Sequence, residues 1–271
     1  MIKASFQGER GAYSEAAARS FFTEDIETVP LSTFAEVLES TISGNTDYSV
    51  LPVENSLEGS VGESYDLLYS TSLNAMGEIY HRIEHCLIGN GSLEEVDTVY
   101  SHPQALGQCR DFIQKNNMKT VPTYDTAGSV KIIKEINKKN ISCIASKTAS
   151  QIYKMPIVSE NIANKLNNYT RFLVLSKKTS EETGSDKTSI IFSIKHEPGS
   201  LFRIIENFHS YNVNLTKIES RPTKSKNWEY NFYVDFEGHA KNPQISKMLE
   251  KIKNETLFMK ILGSYPSAKL N

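Results

Sequence analysis

From Ile2 to Leu175 short apolar runs alternate with stretches of helical periodicity, and that alternation restricts this part of the chain to α/β layers. Strands are predicted at Ile2–Phe6, Tyr48–Val53, Thr98–Tyr100, Met118–Pro122 and Ile141–Ala145. Helices are predicted at Ser14–Phe22, Phe34–Ile42, Ser60–Tyr69, Ala105–Gln114, Ala127–Ile136 and Thr148–Tyr153, where apolar positions recur at helical spacing. Such an order builds mainly parallel sheets covered by helices. Asn74–Gly89 is long and mixed in polarity, a segment able to cross from one lobe to another and leave a cleft between them.

The pattern stops at Lys177–Lys187, a polar run with one glycine and no large apolar residue, read as a linker or exposed loop. A second pattern follows: strand Thr188–Ile194, a Pro198-Gly199 turn, helix Leu201–Ser210, strand Val213–Ser220, strand Trp228–Phe236, helix Gln244–Ile252 and a strand near Phe258–Leu262. The order βαββαβ is the ferredoxin-like split unit. It occupies about 85 residues, the size of one small domain.

Composition excludes several functions. A net charge of -2 with dispersed lysines offers no surface for nucleic acid or membrane. No run is long enough to span a bilayer and the N-terminus has no signal peptide, so a cytoplasmic location is expected. The three cysteines, Cys86, Cys109 and Cys143, are far apart without a CxxC pair, which favours reduced thiols over a disulfide or a zinc site. Neither metal nor cofactor is expected.

The chemistry-bearing runs sit where strands end and helices begin, the place where α/β sheets bind ligands. Gly8-Glu9-Arg10-Gly11 is a tight turn before a helix start that can meet an anion, but it lacks the dinucleotide fingerprint. Pro52-Val53-Glu54-Asn55-Ser56-Leu57-Glu58-Gly59 brings donors and acceptors suited to carboxylates and hydroxyls, or else simply caps a helix. Ser101-His102-Pro103-Gln104 and Asp125-Thr126-Ala127-Gly128 repeat the arrangement. Asn168-Tyr169-Thr170-Arg171-Phe172 sets a hydroxyl and a guanidinium side by side where an apolar strand begins; neighbouring side chains of a strand face opposite ways, so both reach one cleft only if the chain bends. Together these runs describe a polar cleft for a small anion.

In this order the runs resemble the prephenate dehydratase family across essentially the whole chain. Gly8–Ala17, Pro52–Val61, Ser101–Cys109, Asp125–Gly128, Ile144-Ala145-Ser146 and Asn168–Leu175 match, and the C-terminal module resembles an ACT regulatory domain through Pro198-Gly199-Ser200-Leu201 and Asn214–Pro222. The resemblance implies a periplasmic-binding-protein-like catalytic region of two lobes over residues 1–180 and an ACT domain over 187–271. It implies conversion of prephenate to phenylpyruvate with loss of water and carbon dioxide, with Thr170 as the key catalytic residue. Asn55, Ser56 and Gln104 are expected to position substrate, and Arg171 to pair with a substrate carboxylate or brace its strand. Thr170 is too weak an acid for full proton transfer, so hydrogen-bond donation is preferred, with Glu54, Glu58 and His102 as fallback proton donors.

The resemblance also implies feedback by L-phenylalanine through Gly199, Ser200, Leu201, Asn214, Glu219, Ser220 and Arg221, and a homo-oligomer, dimer or tetramer, because ACT ligands bind between paired domains. Asp125-Thr126-Ala127 stands where many bacterial members carry Ser-Thr-Ala and related sequences acting on arogenate can also show Asp-Thr-Ala-Gly, which leaves prephenate and arogenate both open; Ser200 replaces a common alanine. No chorismate mutase segment precedes the first motif, so a monofunctional enzyme is expected. A rival reading is an amino-acid sensor that binds ligand without turnover, which leaves Thr170-Arg171 unexplained.

Overall fold

The computed structural model describes residues 1–22, 24–223 and 229–269. Trp228, expected to open a strand, lies outside them. Contacts divide the chain into two units, Met1–Val61 with Ile79–Phe172, and Gly62–Glu78 with Leu173–Asn271.

The first unit is built on two sheets, of which residues 74–78 and 173–176 of the first are grouped with the second unit. One has the order β2-β1-β3-β11-β5, formed by Ile26–Leu31 (β2), Ile2–Gln7 (β1), Tyr48–Asn55 (β3), Tyr169–Ser176 (β11) and Asn74–Arg82 (β5), with the two-residue Gly59–Ser60 (β4) on β3. The other has the order β10-β6-β9-β7-β8, from Ile157–Ser159 (β10), Cys86–Gly89 (β6), Ile141–Ala145 (β9), Thr98–Ser101 (β7) and Lys119–Pro122 (β8). β1 runs parallel to β2 and β3, and β7 to β8 and β9, whereas β6 is antiparallel to both its neighbours. The segment read as a crossing does cross: β5 belongs to the first sheet, β6 to the second, and β11 brings the chain back. It does so as two strands rather than an irregular connection.

Helices form where the sequence supplies both an apolar stripe and a start signal. Phe34–Ile42 (α2) opens on a capping box, Thr33 and Glu36 each satisfying the other's backbone N–H. Tyr13–Phe21 (α1), Gly128–Ile136 (α6) and Lys147–Tyr153 (α7) follow β1, β8 and β9. The expected helix Ala105–Gln114 is two helices, Pro103–Gln108 (α4) and Arg110–Lys115 (α5), broken at Cys109, whose N–H is shared between the carbonyls of Ala105 and Leu106. Two edge strands lacked a sequence signal, as did the two-residue β4. β2 carries Pro30, tolerated because β2 is an edge strand, and β10 is a three-residue edge. Cys86 and Cys143 pack with Val130 and Ile133 on one side of the second sheet, Cys109 with Val99 and Ile113 on the other, all three thiols buried and unbridged.

In the second unit Asp186–Ser193 (β12), Ser200–Ser210 (α8), Leu215–Pro222 (β13), Tyr230–Glu237 (β14), Pro243–Glu255 (α9) and Phe258–Pro266 (β15) realise the βαββαβ order, with the sheet β13-β14-β12-β15 antiparallel throughout. Phe192, Phe208, Phe236, Met248 and Ile252 form its core. Gly62–Ser70 (α3) belongs here. The run read as a linker is shorter than expected. Asp186 and Lys187 are already in β12, and Lys187 Nζ meets the buried Glu78 carboxylate at 2.7 Å. A buried charge requires such a partner, which local polarity cannot reveal.

Candidate active site

β3 ends in Asn55, 6% exposed, and its amide is the hub of the first unit's polar cluster. Asn55 Oδ1 accepts the N–H groups of Leu57 and Glu58, each at 3.0 Å, closing the turn into β4. Backbone N–H groups only donate, so the amide has one orientation and Nδ2 faces β11. There it reaches Asn168 Oδ1 at 2.7 Å and Thr170 Oγ1 at 3.0 Å, with the Tyr169 carbonyl at 3.2 Å. Thr170 Oγ1 therefore accepts, which leaves its own O–H to donate outward. Ser56 fastens the same two strand ends, its N–H donating to Tyr169 O at 2.8 Å and its hydroxyl accepting Tyr169 N–H at 2.9 Å.

Asn168 is fully buried and passes the contact on, Nδ2 donating to Gln108 Oε1 at 3.0 Å. Gln108 Nε2 donates to Glu58 Oε1 at 3.2 Å, and Gln108 Oε1 also lies 2.8 Å from His85 Nε2. The Tyr13 hydroxyl lies 2.6 Å from the Glu84 carbonyl and 3.0 Å from His85 Nδ1, and its single proton is shared between these two acceptors when Nδ1 carries none. Burial lowers the His85 pKa, partly offset by the Gln108 bond, and burial raises the Tyr13 phenol, so both are neutral near pH 7.

The sequence-predicted residues divide accordingly. Asn55, Ser56 and Thr170 are gathered at one strand end, with Glu58 one bond further along. β11 is continuous from Tyr169, so Arg171 faces away from Thr170; it is 5% exposed and engaged inside the protein. Gln104 is exposed at the start of α4, its N–H donating to His102 Nδ1 at 3.3 Å, which makes His102 a helix cap. Glu54 is half-buried and has a partner of its own. Sequence reasoning missed Gln108, Asn168, His85 and Tyr13. Gln108 lies one turn beyond Gln104, within the matched Ser101–Cys109 run, and that spacing was the available signal. Asp125 caps α6, Oδ1 accepting Gly128 N–H at 2.6 Å; burial raises its pKa against that bond, with Glu9 nearby adding to the rise.

In the second unit Gly199, at φ +82, turns the chain into α8, and Gly199, Ser200 and Leu201 border a cavity of about 350 Å³ with Tyr230 and Leu257. Asn214 lies in a different concavity, of about 940 Å³, where its Nδ2 donates to Glu237 at 3.1 Å. Glu219 is half-buried and Ser220 exposed on β13. Arg221 Nε meets Asp66 Oδ1 at 3.4 Å, and its guanidinium occupies the space a side chain on Gly62 would need. Among the described residues no group of three His, Cys, Asp or Glu could hold a metal ion, and no helix is long and apolar enough to cross a membrane.

A donor-lined site at the strand ends of a two-sheet α/β unit, followed by a βαββαβ module, defines a small-molecule enzyme carrying a regulatory domain. The chain belongs to the prephenate dehydratase family, lyases that remove water and carbon dioxide from prephenate: the prephenate dehydratase model matches residues 4–180 and the ACT domain model residues 188–254. A bifunctional chorismate mutase/prephenate dehydratase of Aquifex aeolicus is 40% identical over 99% of this chain and 75% of its own length. Arogenate dehydratase 2 of Petunia hybrida is 37% identical over 98% of this chain and 72% of its own. The crystal structure of prephenate dehydratase from Arthrobacter aurescens in complex with L-Phe has a TM-score of 0.90 and 28% identity, covering 98% of this chain and 90% of that one.

Proposed function

We propose that this chain is a phenylalanine-regulated prephenate dehydratase in which Thr170 hydrogen-bonds the departing ring hydroxyl. As the bond to the ring carboxylate breaks, its electron pair moves through the ring and expels the hydroxyl, and carbon dioxide is released. The hydroxyl leaves as water once one proton is supplied from solvent, so prephenate dianion plus a proton gives phenylpyruvate, carbon dioxide and water. The site has to stabilise charge on the departing oxygen without gripping the carboxylate that must leave.

The observation that carries this reading is the orientation of Asn55, which makes Thr170 an acceptor inward and hence a donor outward. A preorganised donor stabilises developing charge without titrating. Asn55 and Ser56 serve as positioning residues, Arg171 braces its strand, and Glu58 stands nearest as a proton relay. Arogenate is the second substrate, supported by the petunia relative.

Feedback by L-phenylalanine is supported by the Arthrobacter complex and by the helix start at Gly199–Leu201, where the positive end of α8 suits a carboxylate. Because Asn214 lines a separate concavity from Gly199–Leu201 in one chain, a second copy would supply the missing side of the effector site, which favours a dimer or a dimer of dimers.

The test is phenylpyruvate formation from prephenate and from arogenate, with and without L-phenylalanine, in the wild type and in Thr170→Val. The variant is expected to lose about 10²–10³-fold in kcat with little change in KM or fold. Near wild-type turnover in Thr170→Val would remove Thr170 from its role, and turnover indifferent to phenylalanine would remove the effector.

A further inference from the structure

We propose that His85 is a positioning residue for this reaction, bracing from three side chains away the Asn55 amide that holds Thr170. The proposal rests on the reading of Thr170 above. His85 sits between β5 and β6, 2% exposed, with no route to substrate of its own. Its influence runs through hydrogen bonds whose direction is fixed at each link.

Gln108 Nε2 faces a Glu58 carboxylate oxygen, which only accepts, so the Gln108 amide oxygen faces Asn168 and His85. An amide oxygen only accepts, so His85 Nε2 carries the proton. Asn168, having turned its nitrogen to Gln108, presents its oxygen to Asn55 Nδ2, and the second hydrogen of that nitrogen serves Thr170. Moving the His85 proton to Nδ1 would set a lone pair against the Gln108 oxygen. Gln108 could relieve this only by reversing against Glu58, and Asn168 and Asn55 would have to reverse with it. Asn55 cannot, because Leu57 and Glu58 N–H groups hold its oxygen. One donor hydrogen on His85 thus satisfies the Gln108 oxygen and keeps opposed lone pairs out of the line of bonds that holds Asn55 against Thr170.

Tyr13 holds the imidazole in place, its hydroxyl 3.0 Å from Nδ1 and its ring edge-on to the imidazole at 5.7 Å between centroids. In the protonated ring Nδ1–H would donate to the Tyr13 oxygen while Nε2–H stayed on Gln108, so protonation leaves the chain's direction intact. The requirement is a donor at the Nε2 position.

The ordinary alternative is a satisfied core histidine that contributes packing alone. Replacing His85 by Leu removes the donor, and replacing it by Gln returns an N–H at about the reach of Nε2. Steady-state kinetics with prephenate, beside thermal unfolding, should show His85→Leu losing about 10- to 100-fold in kcat with KM within about twofold. His85→Gln should recover most of the loss. In a Thr170→Val background His85→Leu should cost nothing further, because the group it orients is gone. Equal losses in both backgrounds, or His85→Gln no faster than His85→Leu, would overturn the proposal. Should His85→Leu fail to fold, His85→Asn serves instead: its amide reaches only the Nδ1 position, so it should be slow where His85→Gln is fast, and equal rates would again count against it. A Thr170→Val enzyme with wild-type turnover would instead sink the underlying reading, a separate result.

Discussion

At the scale of single residues the decisive fact is that an amide has two different ends. Asn55 satisfies two backbone N–H groups with its oxygen and aims its nitrogen at Thr170. Asn55→Asp separates these jobs. The carboxylate keeps the turn but becomes an acceptor toward Thr170, whose proton it would take inward. The expected outcome is a fall in kcat of about 10²-fold, comparable to removing the Thr170 hydroxyl, together with a lower melting temperature because the new oxygen faces Asn168 Oδ1 and the Tyr169 carbonyl. Steady-state kinetics beside a thermal melt checks it, and turnover near wild type would show that the direction of the Thr170 bond does not matter. The run Pro52–Gly59 made Asn55 and Ser56 legible in advance. The Ser101–Cys109 run put both Gln104 and Gln108 forward one turn apart, and only the approach of Asn168 and His85 selects the second.

Among the elements, α1 illustrates a charge held by its surroundings. Glu15 is 2% exposed and accepts Gly11 N–H at 2.7 Å, the Thr28 hydroxyl at 2.7 Å and the Arg19 guanidinium at 3.1 Å, tying the first loop and β2 to α1. Burial alone would raise its pKa, but Gly11, Thr28 and Arg19 outweigh it and hold the carboxyl below its ordinary range. The unfolded chain therefore binds this proton more readily than the folded one, so stability rises with pH through this group. Its contribution is complete above the ordinary carboxylate pKa and is lost as pH falls through the depressed folded value. Glu15→Gln is expected to cost about 1.5–3 kcal/mol at pH 7 and to flatten the acid limb of stability against pH. Urea unfolding at several pH values reads both, and an unchanged acid limb would place the titrating group elsewhere.

On the scale of the molecule, regulation requires a route from the βαββαβ module to Asn55. Arg221, in the run proposed to sense phenylalanine, packs on Gly62 at the start of α3 and pairs with Asp66 in its middle. From Gly62 the chain runs through β4, which pairs with Glu54 and Asn55. A methyl on Gly62 would come within 2.7 Å of Arg221 Nη2, the movable end of a long side chain, so Gly62→Ala should displace the guanidinium and leave the fold intact. Basal turnover is expected to persist while the phenylalanine concentration for half-inhibition rises several-fold, by about 1 kcal/mol of lost coupling. An inhibition curve superimposable on the wild type would mean the signal takes another path.

What the sequence determined by itself was whatever depends on neighbours along the chain. Helical periodicity and caps defined most helices, apolar runs defined the inner strands, and ordered motifs located the strand ends and the family. Edge strands β2 and β10 escaped because their pairing partners, not their own residues, make them strands. Tertiary structure alone decided which polar groups meet: Lys187 with Glu78, Arg221 with Asp66, and the line from His85 through Gln108 and Asn168 to Asn55. Hydrogen bonds and buried charges are satisfied by distance and direction in space, and residues as far apart as Asn55 and Asn168 carry no mark of each other until the sheet brings β3 beside β11.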